Sequence, residues 1–296
     1  MNKPLVSIVI PCYNQERFVG AAIESALAQT YSPLEVVVVN DGSTDGSGEI
    51  LKRFSDRIVL VDQENGGLSA ARNAAIRAST GEFIMLLDAD DILLPNCVES
   101  RLVLLGLSPQ ARPIGLVAGY YREIDEYGNL LPRIPEVRKL TQQSHFYQAV
   151  RRNWGPPVGW LISKRALDRC GGFDPFLKSC EDWDLLIRIT TKFDIAYDPN
   201  VGAHYRQMPG QMSRNHLTMY DAGAKVLMKD SAYAKSKLGY WWWSQFGRFQ
   251  HGRRILYNVL SDQKGGLGSL VLRRPALLWI GLLSIFSYLL GKRASG

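Results

Sequence analysis

Three carboxylates crowd into four residues, Asp88, Asp90 and Asp91, at the end of the stretch GEFIMLLDADD (Gly81–Asp91). They follow an unbroken apolar run, Ile84 to Leu87, of the kind that forms a strand buried on both faces. Like charges this close repel unless a cation or solvent relieves them. The expectation is that all three lie outside the core, where the strand leaves its sheet. Asp-X-Asp at a strand exit suits a hard divalent ion that also holds phosphate oxygens, although taken alone so short a motif reads first as a solvated acidic turn. A second acidic pair, Glu181-Asp182, opens a helical stretch far downstream. A carboxylate there is placed for general-base work or only for the helix dipole.

The elements around these residues are periodic and short. Leu5–Ile10 reads as a buried strand broken by Pro11, with Asn14 as N-cap of a helix over Gln15–Gln29. Leu34–Val39 reads as a second strand, ending at Asn40-Asp41-Gly42-Ser43. A helix over Asp45–Phe54, a strand over Arg57–Val61 and an alanine-rich helix over Leu68–Ala78 follow. After the acidic exit comes a helix from Pro95 to Leu107, then a longer strand over Ile114–Ile124. Leu161–Ser163 (strand), Lys164–Cys170 (helix) and Glu181–Thr190 (helix capped by Ser179) complete the readable pattern. Strands alternating with helices imply β-α-β units and a mostly parallel sheet, in which ligands bind beyond the carboxyl ends of the strands. Three polar strand exits, Pro11–Asn14, Asn40–Ser43 and Asp88–Asp91, are therefore expected along one edge.

In order along the chain stand VSIVIPCYNQ, NDGSTDGS, NGGLSAARN, LLDADD and GGFDPFLKSCEDWDL. Together they resemble the inverting glycosyltransferases of family two, over roughly residues 4 to 214. The resemblance implies the GT-A fold, a Rossmann-like, mostly parallel mixed α/β sheet flanked by helices. It also implies transfer of a sugar from a nucleoside diphosphate sugar, a UDP-sugar being favoured, assisted by Mn²⁺ or Mg²⁺. On these residues it implies that Pro11, Tyr13 and Asn14 frame the base and that Asp41 accepts a hydrogen bond from it. Gly67 would meet phosphate or ribose at a helix N-terminus, and Arg72 would pair with the donor, the plain alternative being an exposed helix arginine. Asp90 would hold the metal, Asp88 the ribose or the metal and its water, and Asp182 would be the general base. Glu181, Trp160 and Trp183 are acceptor-side candidates, with core packing equally open to the two tryptophans.

One position departs from the pattern. Relatives carry Tyr-Arg-X-His where this chain reads Tyr205-Arg206-Gln207-Met208. Methionine cannot replace histidine toward a hard cation; His204 lies nearby, and Arg206 remains for the diphosphate. Two other functions fit parts of the pattern. A nucleotidyltransferase making activated sugars shares the sheet and acidic site, but opens with a glycine-rich basic loop that Pro11–Asn14 lacks. A non-catalytic glycan-binding scaffold would follow from lost metal chemistry.

Charge divides the chain. Its net +7 hides a segment from Lys225 onward with 12 Lys+Arg against 2 Asp+Glu, leaving residues 1–224 at −3. The expected organisation is thus a catalytic domain over 1–224 (a nucleotide-sugar half at 1–113, an acceptor half at 114–224) and a basic helical segment over 225–296. That segment interleaves Tyr240–Trp243, Phe246, Phe249 and Tyr257 with Arg248, Arg253 and Arg254. Its apolar run Pro275–Leu290 would span about 24 Å as a helix, short of a ~30 Å hydrocarbon core. Basic residues flank both ends, which fits a helix lying on an anionic membrane surface and not a crossing. Nucleic acid is excluded as partner, since the apolar run has no role there. The acceptor expected is a glycan or a polyprenyl-linked glycan in bacterial-type surface polysaccharide synthesis, on the cytoplasmic face. The four cysteines, Cys12, Cys97, Cys170 and Cys180, lack metal-ligand spacing and read as reduced thiols. The first apolar run is strand-length and does not read as a signal peptide.

Overall fold

The structure, a computed structural model, describes residues 3–106, 112–132, 145–151, 153–208, 211, 213 and 216–230. Its elements run β1 (Val6–Cys12), α1 (Val19–Leu27), β2 (Leu34–Asp41), α2 (Ser47–Lys52), β3 (Val59–Gln63), α3 (Leu68–Ala78), β4 (Phe83–Leu86), β5 (Ile92–Leu93) and α4 (Cys97–Gly106). The second half continues with β6 (Ile114–Ile124), α5 (His145–Arg151), β7 (Leu161–Ser163), α6 (Lys164–Cys170), α7 (Glu181–Lys192), β8 (Asp194–Arg206) and α8 (His216–Asp230). All eight strands join one mixed sheet in the order β3-β2-β1-β4-β7-β6-β8-β5. The pairs β3-β2, β2-β1, β1-β4 and β6-β8 are parallel, whereas β7 and β5 run against their neighbours. The carboxyl ends of β1, β2, β4, β6 and β8 consequently share one edge. The expected mostly parallel mixed sheet flanked by helices is the fold observed.

Continuous apolar strands are explained by helices on both faces. Val9, Val37, Val39 and Ile84 turn to one side, where Ala71, Ala74 and Ala75 of α3 and Leu185, Leu186 and Ile189 of α7 cover them. Their chain neighbours Ile8, Ile10, Val36, Val38 and Met85 point the other way, onto Val19, Ala22, Ile23 and Ala26 of α1. Trp160 and Trp183 are buried in the first of these cores, and the Trp183 indole N–H donates to the Ala149 carbonyl at 2.6 Å. Neither ring presents a face to an acceptor sugar; their hydrophobic area is used in packing.

Several boundaries differ from expectation for identifiable reasons. Pro11 does not end β1 but pairs in register with Val39. The Val9 carbonyl accepts from Leu87 N on the β4 side, so by alternation the missing N–H of Pro11 falls on that same side, where the β4 ladder has ended. Asn14 is not the N-cap of α1, which begins four residues after the expected start with Phe18 in the cap position. Its side chain instead accepts from Thr44 N at 2.8 Å. The cap of α7 is Cys180 in the left-handed region (φ 60°), while the Ser179 hydroxyl is buried without a partner. Helix α8 crosses the expected 224/225 boundary and buries Val226 and Leu227 against the main core, so residues 225–230 belong with the catalytic domain. The basic aromatic stretch, residues 231–296, lies outside the described residues. Among the described residues no helix is long and apolar enough to cross a membrane.

Candidate functional site

The shared strand edge begins with two interlocked turns. Asn14 adopts φ 52°, its amide donates to Ser43 Oγ at 3.1 Å, and its side chain holds Thr44; Tyr13, beside it, is about half exposed. Asp41, at the end of β2, is buried. One of its oxygens accepts from Gln63 Nε2 (2.6 Å) and Gly66 N (2.9 Å), the other from Gly67 N (2.9 Å). This carboxylate therefore fixes the turn into α3 from a distance, in place of a side-chain cap that glycine cannot supply. Gly67 occupies the N-cap position at φ 84°, a conformation that glycine adopts without strain.

One turn into α3, Arg72 is neither exposed nor free. Its Nη2 donates to both Asp88 oxygens (2.7 and 2.9 Å) and its Nη1 to Glu181 Oε1 (2.7 Å). Burial works against the charge, but Asp88 and Glu181 outweigh it and hold the guanidinium protonated. The arginine expected to pair with the donor is thus engaged by carboxylates from both ends of the site.

The three acids of the β4 exit have three different fates. Asp88 is partly exposed and held by Arg72. Asp90 is half-buried, and its carboxylate receives no hydrogen bond from another described residue. Burial and the Asp88 charge push its pKa up to about 6, against the pull of Arg206 and Arg72. Asp91 corrects the expectation that all three lie outside the core: it is fully buried. Desolvation and the two neighbouring acids hold it well above the usual carboxylate range, and Oδ1 accepts from Arg206 N at 2.8 Å. A neutral acid with a backbone partner can be core where an ion cannot.

Arg206, at the end of β8, is held by protein groups. Its Nε donates to the Asp90 carbonyl (2.8 Å) and its Nη1 to the carbonyls of Asp125 (3.0 Å) and Glu126 (3.2 Å), with the Phe18 ring 4.7 Å away. It clamps the exits of β4, β6 and β8. Met208 is half-buried just beyond it. His204 stands in register with Arg122 of β6 and Ile92 of β5; burial, then Arg122 and Arg206, lower its pKa.

On the acceptor side, Asp182 sits in the first turn of α7 and is almost wholly buried. Asn153 Nδ2 lies 3.1 Å from both its oxygens, and Trp183 N donates at 2.7 Å. The helix N-terminus favours the ionised form of this acid. Desolvation followed by the Glu181 charge prevails instead and raises its pKa to about 7, with Asn153, Arg72 and Trp183 N opposing.

A sequence profile described as Glycosyl transferase family 2 matches residues 7–168, more than half of the chain, including the exits of β1, β2 and β4. The chain belongs to that family. An uncharacterized glycosyltransferase of Rickettsia felis is 34% identical over 203 residues, covering 67% of this chain and 33% of the relative. The chain thus spans about a third of the length of that relative. Its fold resembles Staphylococcus aureus TarS in complex with UDP-GlcNAc (TM-score 0.58, 19% identity, covering 75% of this chain and 65% of TarS). It also resembles a mannosyltransferase of Pyrobaculum calidifontis in complex with GDP-Man and Mn²⁺ (TM-score 0.60, 19% identity, covering 96% and 85%).

Toward a divalent ion, the Asp88 and Asp90 carboxylates offer hard oxygen donors, of the kind that hold Mg²⁺-like ions together with substrate phosphates. Among the described residues no cluster of three or more His, Cys, Asp or Glu is prearranged for a metal. Sequence reasoning missed Asn153, the burial of Asp91 and the clamping role of Arg206. Asn153 sits in RRNWGPP, a stretch without periodicity, and its pairing with Asp182 arises only in three dimensions.

Proposed function

We propose that the glycosyltransferase is an inverting enzyme that moves a sugar from a nucleoside diphosphate sugar, a UDP-sugar being favoured, to a glycan or polyprenyl-linked acceptor. The observation that carries this is the meeting, through Arg72, of the β4-exit acids with the Glu181-Asp182 pair. One set of carboxylates faces a leaving group and the other faces a nucleophile, as a single displacement requires. The nucleotide sugars held by the two structural neighbours support the donor class.

In this reading Asp182 takes the proton from an acceptor hydroxyl. That oxygen forms the new bond to the anomeric carbon on the face opposite the diphosphate, whose bond to the same carbon breaks, so the configuration inverts. A base of pKa about 7 combines a useful ionised fraction with enough basicity near neutral pH. Asn153 holds both carboxylate oxygens and so orients the base. Asp90, with Asp88 beside it, would hold Mn²⁺ or Mg²⁺, which when bound neutralises charge on the leaving diphosphate. Tyr13, Asn14 and Asp41 sit where a base would enter, and the Asp41-fixed turn brings Gly67 to the ribose side.

The basic aromatic stretch beyond residue 230 supports placement on the anionic cytoplasmic face of a membrane, with work on surface polysaccharide. Incubation with a panel of nucleotide sugars and Mn²⁺ is expected to give transfer or slow donor hydrolysis, with the product anomer inverted by NMR. Asp182→Asn and Asp90→Ala should each lower turnover by at least about 100-fold. Retention of the donor's anomeric configuration, or full activity in Asp182→Asn, would sink the reading.

A further inference from the structure

The chemistry above leaves Arg72 unexplained, since a buried cation held by two acids is not needed to bind either substrate. We propose that Arg72 is a positioning residue that couples the leaving-group end of the site to the base end, by holding Asp88 and Glu181 on one guanidinium. This rests on the function proposed above.

The geometry is that of a rigid joint. Arg72 is 1% exposed, and its two terminal nitrogens are divided between acids from β4 and α7. Its guanidinium lies 5.1 Å from the Phe173 ring. Phe173 is tied to the neighbouring Asn73 by reciprocal bonds, Phe173 N to Oδ1 at 2.8 Å and Nδ2 to the Phe173 carbonyl at 2.7 Å. Helix α3 thus grips the segment leading into α7 at Asn73, at the Phe173 ring and at Glu181. Asp182 follows Glu181 directly, so any shift of Asp88 that moves Arg72 is passed to the base through one residue.

The joint also shapes the base electrostatically. Glu181 from α7 and Arg72 from α3 are the charges that act on Asp182, with Asn153 from the turn after α5 as its neutral partner. From α8, Lys229 is engaged elsewhere, by Asp174 (2.6 Å) and Asp184 (2.7 Å). A lysine at position 72 would keep the charge but cannot present the two-pronged fork that reaches both acids.

The full chain with Arg72→Lys, Arg72→Met and Glu181→Gln tests this, by kcat and donor KM against pH and by a ¹³C NMR titration of the Asp182 carboxyl, assigned with Asp182→Asn. Arg72→Lys is expected to lose on the order of 100-fold in kcat with donor KM within about threefold, the acid limb staying in place. Arg72→Met should move that limb up by about one pH unit, and Glu181→Gln down by about one. Should Arg72→Met not fold, the other two variants decide. Wild-type kcat in Arg72→Lys, a loss carried mainly by donor KM, or an unmoved limb in Glu181→Gln each overturns the coupling. If the wild type transfers no sugar from any donor, the proposed function fails while the NMR titration still reads the joint.

Discussion

Two buried arginines serve the same strand edge in opposite ways. Arg72 is matched by charges, Asp88 and Glu181, whereas Arg206 is matched by the carbonyl dipoles of Asp90, Asp125 and Glu126. A guanidinium on carbonyls shapes loops, because those partners are fixed in the backbone and cannot titrate. A guanidinium on carboxylates ties together acidic side chains from different elements. The acids of the β4 exit are therefore linked to the Glu181-Asp182 pair by charge, whereas the loops are held mechanically.

The largest expected difference is in stability. Arg72→Met strands two acids in a buried setting and should cost about 3–5 kcal/mol in urea unfolding. Arg206→Met leaves carbonyls short of donors and should cost about 1–3 kcal/mol. Equal losses would erase the distinction between the two arginines.

Next in size is a pH effect from Asp182 and Asp90, whose folded pKa values, about 7 and about 6, lie above the ordinary aspartate value of about 3.9. The folded state then binds more protons than the unfolded one across that window. Stability should fall as pH rises from about 4 to about 7 by this contribution. Asp182→Asn is expected to flatten the slope; a slope unchanged in that variant would show that the acid is not held protonated. The smallest effect belongs to Asp91, already neutral by burial. Asp91→Asn should change stability by less than about 1 kcal/mol and leave catalysis intact. A loss as large as that of Arg206→Met would mean that Asp91 is ionised and paired with Arg206.

Much of the first half was legible because its strands are short, apolar and regularly spaced. The helix over Leu68–Ala78 and the strands over Ile114–Ile124 and Leu161–Ser163 are observed with those bounds. Strand β8 was not read at all. Over Asp194–Arg206 buried and exposed residues follow no period of two, its register against β6 is interrupted by bulges, and pairing alone makes it a strand. Helix α5 and the two-residue β5 are too short to carry a signal. In the site, the acidic positions could be found from residue type and place along the chain. Their individual states could not, as Asp88, Asp90 and Asp91 look alike in sequence and differ by burial and partner.

By itself, the order of apolar runs and polar exits determined the alternating sheet and the edge that carries the site, while the five motifs in order carried the resemblance to the family. These are local properties, set by periodicity and by which residues can end a strand. Tertiary structure alone decided that Asp91 is a core acid, that Trp160 and Trp183 are packing residues, and that Arg72 and Arg206 face protein groups. Each of those outcomes depends on desolvation and on partners more than 30 residues away or on another element, and no stretch of sequence contains either.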